Sequence, residues 1–380
     1  MKIIMIGQKG IPAHSGGVER HVDDLSRRLV QAGHEVIVYC RKNYSLNYNC
    51  VQEYFGVKLI YTPAIPSKHL GTVSHVFFST LHALFQKGDI IHYHGIGPSL
   101  FAWIPRVFTP RVKVISTFHC QDYYHQKWGL LAKLVFHVGE WFACTVTNHT
   151  IVVSKYLQRF VATRYKRRAL YIPNAVSLGE RVKPSLITPY GLTTGNYILS
   201  VSRLVKHKGI HTIIEAYSAL LKRHKNMPLL VIVGDSVFTD EYVASLKELA
   251  AGSDKILFLG EQQGAVLSEL YSNARLFIQA SQTEGLSYAL LEAMSFGASV
   301  LVSDITENKE VLSAVGHTFK TGDIQDLAHQ MNTLLFHSNV IRKSRTLNRE
   351  YVKAHYNLDA AMGRVLGFYT KQLHTARRST

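Results

Sequence analysis

Lys2-Ile3-Ile4-Met5-Ile6-Gly7 is a short apolar run ending in glycine, and Tyr197-Ile198-Leu199-Ser200-Val201 repeats the pattern near the middle of the 380-residue chain. After the first run come a loop with Gly10, Pro12, Gly16 and Gly17, a helical pattern over about 19–32 closed by Gly33, and a second apolar run at 35–39. After the second come a loop with Lys208-Gly209, a helical pattern over about 210–224, and the run 229–233 followed by Gly234-Asp235. Glycine tolerates the left-handed conformation that ends a helix, so each stretch predicts a strand–loop–helix–strand unit.

Outward from these two units the alternation continues. Further strands are expected at 58–61, 89–94, 113–117 and 150–153 in the first half, and at 255–259, 276–280 and 299–303 in the second. Strands that are apolar almost throughout and separated by helices indicate parallel sheets covered on both faces. The chain therefore reads as α/β, with two Rossmann-like, doubly wound domains at 1–173 and 174–356. The stretch 177–196, with Pro184, Pro189, Gly191 and Gly195, leads into the second. In such sheets ligands sit beyond the carboxyl ends of the strands, so a cleft between the two domains is the expected site.

Composition agrees with this picture and excludes several classes. A hydrophobic fraction of 47% with 18% charged residues supports packed cores and excludes a disordered chain. Cys40, Cys50, Cys120 and Cys144 form no C-x-x-C pair, which speaks against a disulfide framework or a cysteine zinc site and for a reducing compartment. The N-terminal apolar run is too short for a signal peptide. The apolar stretches 73–85 and 129–153 are interrupted by His75, His82, Lys133, His137 and Glu140, so they read as amphipathic helices of a soluble protein and not as membrane spans. The expected location is cytoplasmic. The net charge is +17 and lopsided: 21 Lys and Arg face 8 Asp and Glu through Pro173, against 22 and 18 beyond it. The first half is thus expected to face something anionic, unless the charge serves solubility alone. No nucleic-acid-binding motif accompanies the charge, and nucleic acid is not an expected partner.

Three segments carry candidate chemistry. In Ser281-Gln282-Thr283-Glu284-Gly285-Leu286-Ser287-Tyr288-Ala289-Leu290-Leu291-Glu292-Ala293-Met294, a strand delivers Glu284 and Gly285 to a loop, Ser287 caps a helix, and Glu292 lies more than one turn in. The amides of Gly285, Leu286 and Ser287 at that helix start suit a diphosphate, and the carboxylates suit sugar or ribose hydroxyls. An ordinary capped helix with two surface glutamates has the same pattern. In Ser202-Arg203-Leu204-Val205-Lys206-His207-Lys208-Gly209, two cations between strand and helix can neutralise a leaving diphosphate, or simply be solvated. With no Asp-x-Asp run beside them, the cations stand in for a divalent metal, and no cofactor is expected. The third segment, Gly16-Gly17-Val18-Glu19, brings backbone close to a donor phosphate or an acceptor, or makes a plain turn. Its glycines lack the G-x-G-x-x-G order of a dinucleotide fingerprint. His92 and His94 share one side of a strand but show no third metal ligand, so no metal is expected. His119, at the end of the next strand, is the better candidate for touching a transferred sugar.

Together these segments resemble glycosyltransferase family four, retaining enzymes of the GT-B fold, over nearly the whole chain. The resemblance rests on Glu284 and Glu292 with Gly285 and the Glu292-Ala293-Met294 run, on Arg203 and Lys208-Gly209, on Gly16-Gly17-Val18-Glu19, on His119, and on Ile172-Pro173-Asn174-Ala175-Val176. Ala175 and Ser202 stand where the family usually has glycine. The resemblance implies that the last helix, 357–380, returns to the first, acceptor-binding domain, while the second binds the nucleotide sugar. It implies that Glu292 contacts ribose, Glu284 the sugar ring, Arg203 and Lys208 the diphosphate, and His119 a sugar hydroxyl. The expected donor is a UDP- or GDP-sugar, and the expected acceptor a glycan or a lipid-linked acceptor. Basic and aromatic residues interleave at 103–108 and 156–168, which leads to an expected peripheral contact with an anionic membrane. A nucleotide-sugar epimerase or hydrolase of the same architecture is the competing reading.

Overall fold

The computed structural model describes residues 1–14, 16–42, 51–67, 70–124, 129–236, 239–312 and 315–377. Contacts divide the chain into two units, Met1–Asn174 with Asp359–Thr380, and Ala175–Leu358. The second crossing thus falls after Leu358 instead of at 356/357. Val176 donates to the Tyr356 carbonyl and Leu358 to that of Val176, and these bonds keep 356–358 with the second unit.

The first unit runs β1 (Lys2–Ile6), α1 (Gly17–Gln31), β2 (Glu35–Arg41), β3 (Glu53–Tyr54), β4 (Val57–Thr62), α2 (Leu70–Ala83) and β5 (Ile90–His94). It continues with α3 (Trp103–Phe108), β6 (Lys113–Phe118), α4 (Leu130–Trp141), β7 (His149–Val152), α5 (Lys155–Tyr165) and β8 (Leu170–Tyr171). The eight strands are ordered β3-β4-β2-β1-β5-β6-β7-β8, all parallel except the β3–β4 hairpin. That hairpin, absent from the sequence expectation, turns at Phe55 and Gly56, both at positive φ, as a two-residue hairpin turn requires.

The second unit comprises β9 (Tyr197–Val201), α6 (Ile210–Leu221), β10 (Leu229–Val233), α7 (Asp240–Ala250), β11 (Ile256–Phe258), α8 (Gly264–Asn273) and β12 (Leu276–Gln279). After these come α9 (Tyr288–Ser295), β13 (Val300–Ser303), α10 (Thr306–Leu312), β14 (His317–Phe319), α11 (Ile324–Phe336) and α12 (Ser338–His355). The final helix, α13 (Leu358–Arg377), passes into the first unit, where the Tyr369 hydroxyl and His92 Nδ1 are 2.5 Å apart. The sheet order β11-β10-β9-β12-β13-β14 is the doubly wound order in which the chain turns outward both ways from the centre. The helix expected over 210–224 stops at Leu221, where the Arg223 and His224 amides both turn back to the Leu220 carbonyl.

Both sheets have apolar cores on their faces. Ile4, Ile6, Ile37, Tyr39, Ile91 and Val114 belong to the first, and Ile198, Leu230, Ile232, Ile278 and Leu301 to the second. Each fully buried side chain of this size contributes about 1.5–3 kcal/mol, which is why central strands are apolar throughout. Cys40, Cys120 and Cys144 are not in disulfides among the described residues, and Cys50 lies outside them. No described helix is long and apolar enough to cross a membrane.

One glycine shows how closely the strand ends are packed. Gly234 follows β10 at φ +134°, and a Cβ there would lie 1.8 Å from the Ser202 carbonyl oxygen. Gly234→Ala is therefore expected to cost about 1–3 kcal/mol in urea denaturation; an unchanged midpoint would contradict this packing.

Candidate functional site

In each sheet the loops after the two central strands leave toward opposite faces, which opens a crevice at the carboxyl ends. In the second unit this switch point lies between β9 and β12. The loop after β9 carries Ser202, Arg203 and Lys208, and the loop after β12 carries Glu284. Three contacts hold the two loops together. The Gln282 amide donates to the His207 carbonyl at 2.8 Å. Gly209, at φ +67°, lies where a Cβ would meet the Ala280 carbonyl oxygen at 2.3 Å. Lys208 Nζ and Glu284 Oε1 are 2.5 Å apart, with side chains only 13% and 9% exposed. Two charges this far from water attract strongly and leave an unpaired, costly partner if one is removed.

Arg203 is half-buried, and its guanidinium has no ion-pair or hydrogen-bond partner among the described residues. A positive group placed there without a carboxylate is ready for an anion. Ser287 caps α9 as expected: its Oγ accepts from the Leu290 amide at 3.3 Å and donates to Gln279 Oε1 at 2.6 Å. Gln279 in turn donates to Asn308 Oδ1 at 3.0 Å, and Asn308 donates to the Ser303 carbonyl at 3.0 Å. This buried network fixes the start of α9, near Gly285 and Leu286. Sequence reasoning missed it because Gln279, Ser303 and Asn308 come from three elements with no common motif. Glu292 lies one turn into α9 and accepts from the Tyr271 hydroxyl at 3.2 Å.

Glu307, also not anticipated, is the second residue of α10. Burial raises its pKa, with the nearby Glu284 and Glu310 carboxylates raising it further. The second unit thus gathers Arg203, Lys208, Glu284, Gly285, Ser287 and Glu292 around two adjoining loops and one helix.

In the first unit the equivalent switch point lies between β1 and β5. Gly7, at φ +124°, lets the loop after β1 pass the end of β5, since a Cβ would stand 2.5 Å from the His94 carbonyl. Two carboxylates of α1 pin that loop: Glu19 accepts from the Lys9 amide at 3.0 Å and Asp23 from the Ala13 amide at 2.9 Å. Gly16, at φ +98°, caps α1 and Gly17 is its first residue, two positions earlier than the expected start. One turn later stands His21, buried, with its ring 5.5 Å from that of His94 and 5.0 Å from that of His119. His94 Nδ1 and His119 Nε2 are 3.4 Å apart.

His21 is what joins the glycine motif to His119, and its signal in the sequence was a histidine on the buried face of an otherwise amphipathic helix. His92, by contrast, is used up inside the unit, with Nε2 2.7 Å from Thr117 Oγ1 and Nδ1 bound to Tyr369. The expectation that His92 and His94 have no third partner is corrected for His94 alone: nitrogens of His21, His94 and His119 all lie within 4.8 Å of one another. The two further imidazoles come from α1 and from the loop that follows β6. Three close imidazole nitrogens can ligate a divalent cation, or hydrogen-bond the hydroxyls of a sugar. Burial lowers the His21 pKa to about 4, and burial followed by the neighbouring imidazoles holds His94 and His119 well below the ordinary value. All three are neutral at pH 7. His94 Nε2 is buried without a hydrogen-bond partner.

Family models match most of the chain: Glycosyltransferase Family 4 over residues 15–180 and Glycosyl transferases group 1 over residues 186–351. The chain belongs to the family-4 glycosyltransferases. Among the family-4 enzyme's relatives is the phosphatidylinositol N-acetylglucosaminyltransferase gpi3 subunit of Schizosaccharomyces pombe, 25% identical over 84% of this chain and 70% of the relative. Another is the alpha-monoglucosyldiacylglycerol synthase of Streptococcus pneumoniae, 26% identical over 75% and 67%. Among solved structures, the sucrose-phosphate synthase of Thermosynechococcus elongatus superposes with a TM-score of 0.83 at 20% identity, covering 98% of this chain and 99% of that one. Anabaena HepE in complex with UDP-glucose gives 0.79 at 19%, covering 98% and 100%. The glycosyltransferase therefore has the GT-B fold, two parallel-sheet α/β domains.

Two pH dependences follow. In the first unit His21, His75 and His92 have folded pKa values lowered to about 4, about 3 and about 3, and those of His94 and His119 are lowered as well. Below the ordinary value of 6.5 the unfolded chain binds protons that the folded glycosyltransferase does not, so stability is present above pH 6.5 and is lost as pH falls toward 4. Each such imidazole contributes about 1.4 kcal/mol per pH unit. Hydrogen exchange corrected for intrinsic rates is expected to show the first unit losing protection before the second between pH 6.5 and 4.5; equal loss would contradict the burial of these rings. Glu307 has the opposite sign, because a raised carboxyl pKa destabilises once the group ionises. Glu307→Gln is expected to raise the melting temperature at pH 7, with the gain fading near pH 4.5. A gain that persists at low pH would rule out ionisation as its cause.

Proposed function

We propose that this glycosyltransferase is a retaining hexosyltransferase that takes a UDP- or GDP-sugar and transfers the hexosyl group to a glycan or lipid-linked acceptor, in polysaccharide or glycolipid assembly at the cytoplasmic face of a membrane. The observation that carries the donor assignment is the Lys208–Glu284 pair at the switch point of the second sheet, beside the unpaired Arg203 and the capped start of α9. A diphosphate suits that position because it is the charge that Arg203, Lys208 and helix-start amides complement. On donor binding, Lys208 would exchange part of its bond to Glu284 for a phosphate oxygen, freeing the carboxylate to accept from sugar hydroxyls. Glu292 would hold the ribose, and His119, neutral, would hydrogen-bond a sugar hydroxyl.

Chemistry follows from where charge develops. As the glycosidic bond to the diphosphate breaks, negative charge grows on the leaving oxygen and positive charge on the sugar ring. Arg203 and Lys208 stabilise the first without reorganising. The acceptor hydroxyl would attack from the side the diphosphate leaves, losing its proton to the departing phosphate oxygen, so configuration is retained without an enzyme nucleophile. Support comes from relatives whose names state lipid acceptors, and from a fold neighbour solved with UDP-glucose.

Screening UDP-, GDP- and dTDP-sugars by thermal shift identifies the donor. With that donor, Lys208→Ala is expected to lower kcat by about 10²–10³, the usual effect of losing a transition-state charge partner, and Glu292→Ala to raise KM instead. Activity is expected to persist in EDTA, and NMR of the first product to show the donor's anomeric configuration. A wild-type kcat in Lys208→Ala together with a wild-type KM in Glu292→Ala would overturn the site, and free sugar formed without acceptor would identify a hydrolase.

A further inference from the structure

The stretch 129–153 was expected to bury its apolar face as an ordinary amphipathic helix, and α4 does the reverse. Leu130 is 88% exposed, Leu131 77% and Leu134 59%; Val138 and Trp141 are exposed too. At about 100° per residue these five side chains fall within one stripe about 100° wide. The opposite face is fixed inward: Gly139 lies so close to the Ile96 carbonyl that a Cβ would stand 2.2 Å from it, and Glu140 is buried, accepting from the Tyr165 hydroxyl at 2.5 Å. Rotation of α4 is thereby set, and its leucines point away from the unit because Gly139 and Glu140 point into it.

The stripe has apolar company and a basic margin. Residues Pro98–Phe101 pack against both α2 and α4, and α3, which follows them, exposes Trp103, Val107 and Phe108. The hydrogen bond from Tyr165 places the end of α5 beside α4, and there Arg164, Lys166, Arg167 and Arg168 are all exposed. Between Gly97 and Arg168 the sequence has only two carboxylates, Asp122 and the buried Glu140. Asp122, in a turn that packs against α4, is the one half-buried carboxylate beside the stripe, against the four exposed cations at the end of α5; an exposed apolar stripe with such an excess of cations matches an anionic lipid surface.

We propose that α4, with α3 beside it, inserts its exposed apolar stripe into the acyl boundary of an anionic bilayer, while the basic end of α5 binds lipid headgroups. This rests on the reading of the enzyme as one that works at a membrane and names the surface that meets it; it does not depend on the donor site. A lipid-linked acceptor would then reach the first unit along the bilayer plane.

Flotation of the full chain with vesicles tests it, using equal parts phosphatidylglycerol and phosphatidylcholine against phosphatidylcholine alone. The wild type is expected to float with the anionic vesicles and weakly with the neutral ones. Leu131→Glu/Leu134→Glu, at positions already exposed, is expected to lower partition at least about tenfold, whereas Leu249→Glu on α7 of the second unit leaves it unchanged. Circular dichroism and thermal shift with the donor confirm folding and nucleotide-sugar binding in every variant. A wild type that stays with the soluble fraction, or a double variant that floats like the wild type, overturns the proposal. So does a lipid-free dimer in sedimentation velocity that the double variant dissociates, since a second copy would then be the occupant. Flotation without nucleotide-sugar binding would remove the donor assignment and leave this surface standing.

Discussion

Everything at the proposed donor site depends on how closely two loops approach each other at the centre of the second sheet. β9 and β12 are hydrogen-bonded neighbours whose following helices depart toward opposite faces, so their loops begin side by side and then diverge. Gly209 makes the approach sterically feasible, because any side chain there would collide with the Ala280 carbonyl. The Gln282–His207 bond sets the register between the loops, and the nearly buried Lys208–Glu284 pair closes it. A buried ion pair is weak support for stability. Its value here is positional: it holds a cation and a carboxylate where a phosphate and a sugar can each claim one of them.

The first unit uses the same topology for a different chemistry. At its switch point there are few charges and several neutral imidazoles, assembled by the loop after β1, the start of α1 and the ends of β5 and β6. Burial keeps these rings neutral, which suits hydroxyl recognition and makes the unit acid-sensitive. His92 shows the cost of reading such a cluster from sequence. It shares a side of β5 with His94, yet Thr117 and Tyr369 occupy both of its nitrogens. Tyr369 comes from α13, far along the chain, so no local pattern could separate a structural histidine from one facing a ligand.

Much of the architecture was legible because it rests on local signals. Apolar runs of strand length, Gly33 and Gly297 past helix ends, and the Ser287 cap each act over a few residues, and the structure has them where expected. Boundaries moved where hydrogen bonding overrode pattern, as at Leu221 and at the β3–β4 hairpin. The grouping of Glu284, Gly285, Ser287 and Glu292 was legible because a loop, a cap and a helix face lie in one continuous segment. Three things were not: the Gln279–Asn308–Ser303 support beneath α9, the contribution of His21, and the outward rotation of α4. All three are set by contacts between distant segments, and the last depends on Gly139, pressed against Ile96, and on the buried Glu140 held by Tyr165. Hydrophobic periodicity shows that a helix has two faces without showing which one is covered.

The central claim is that a nucleotide diphosphate binds the loops after β9 and β12 together. Hydrogen exchange by mass spectrometry, with and without saturating UDP or GDP, reads this directly. The account expects new protection in both 202–210 and 282–292, with little change around β11. Nucleotide binding that protects neither segment, or only one of them, would contradict it.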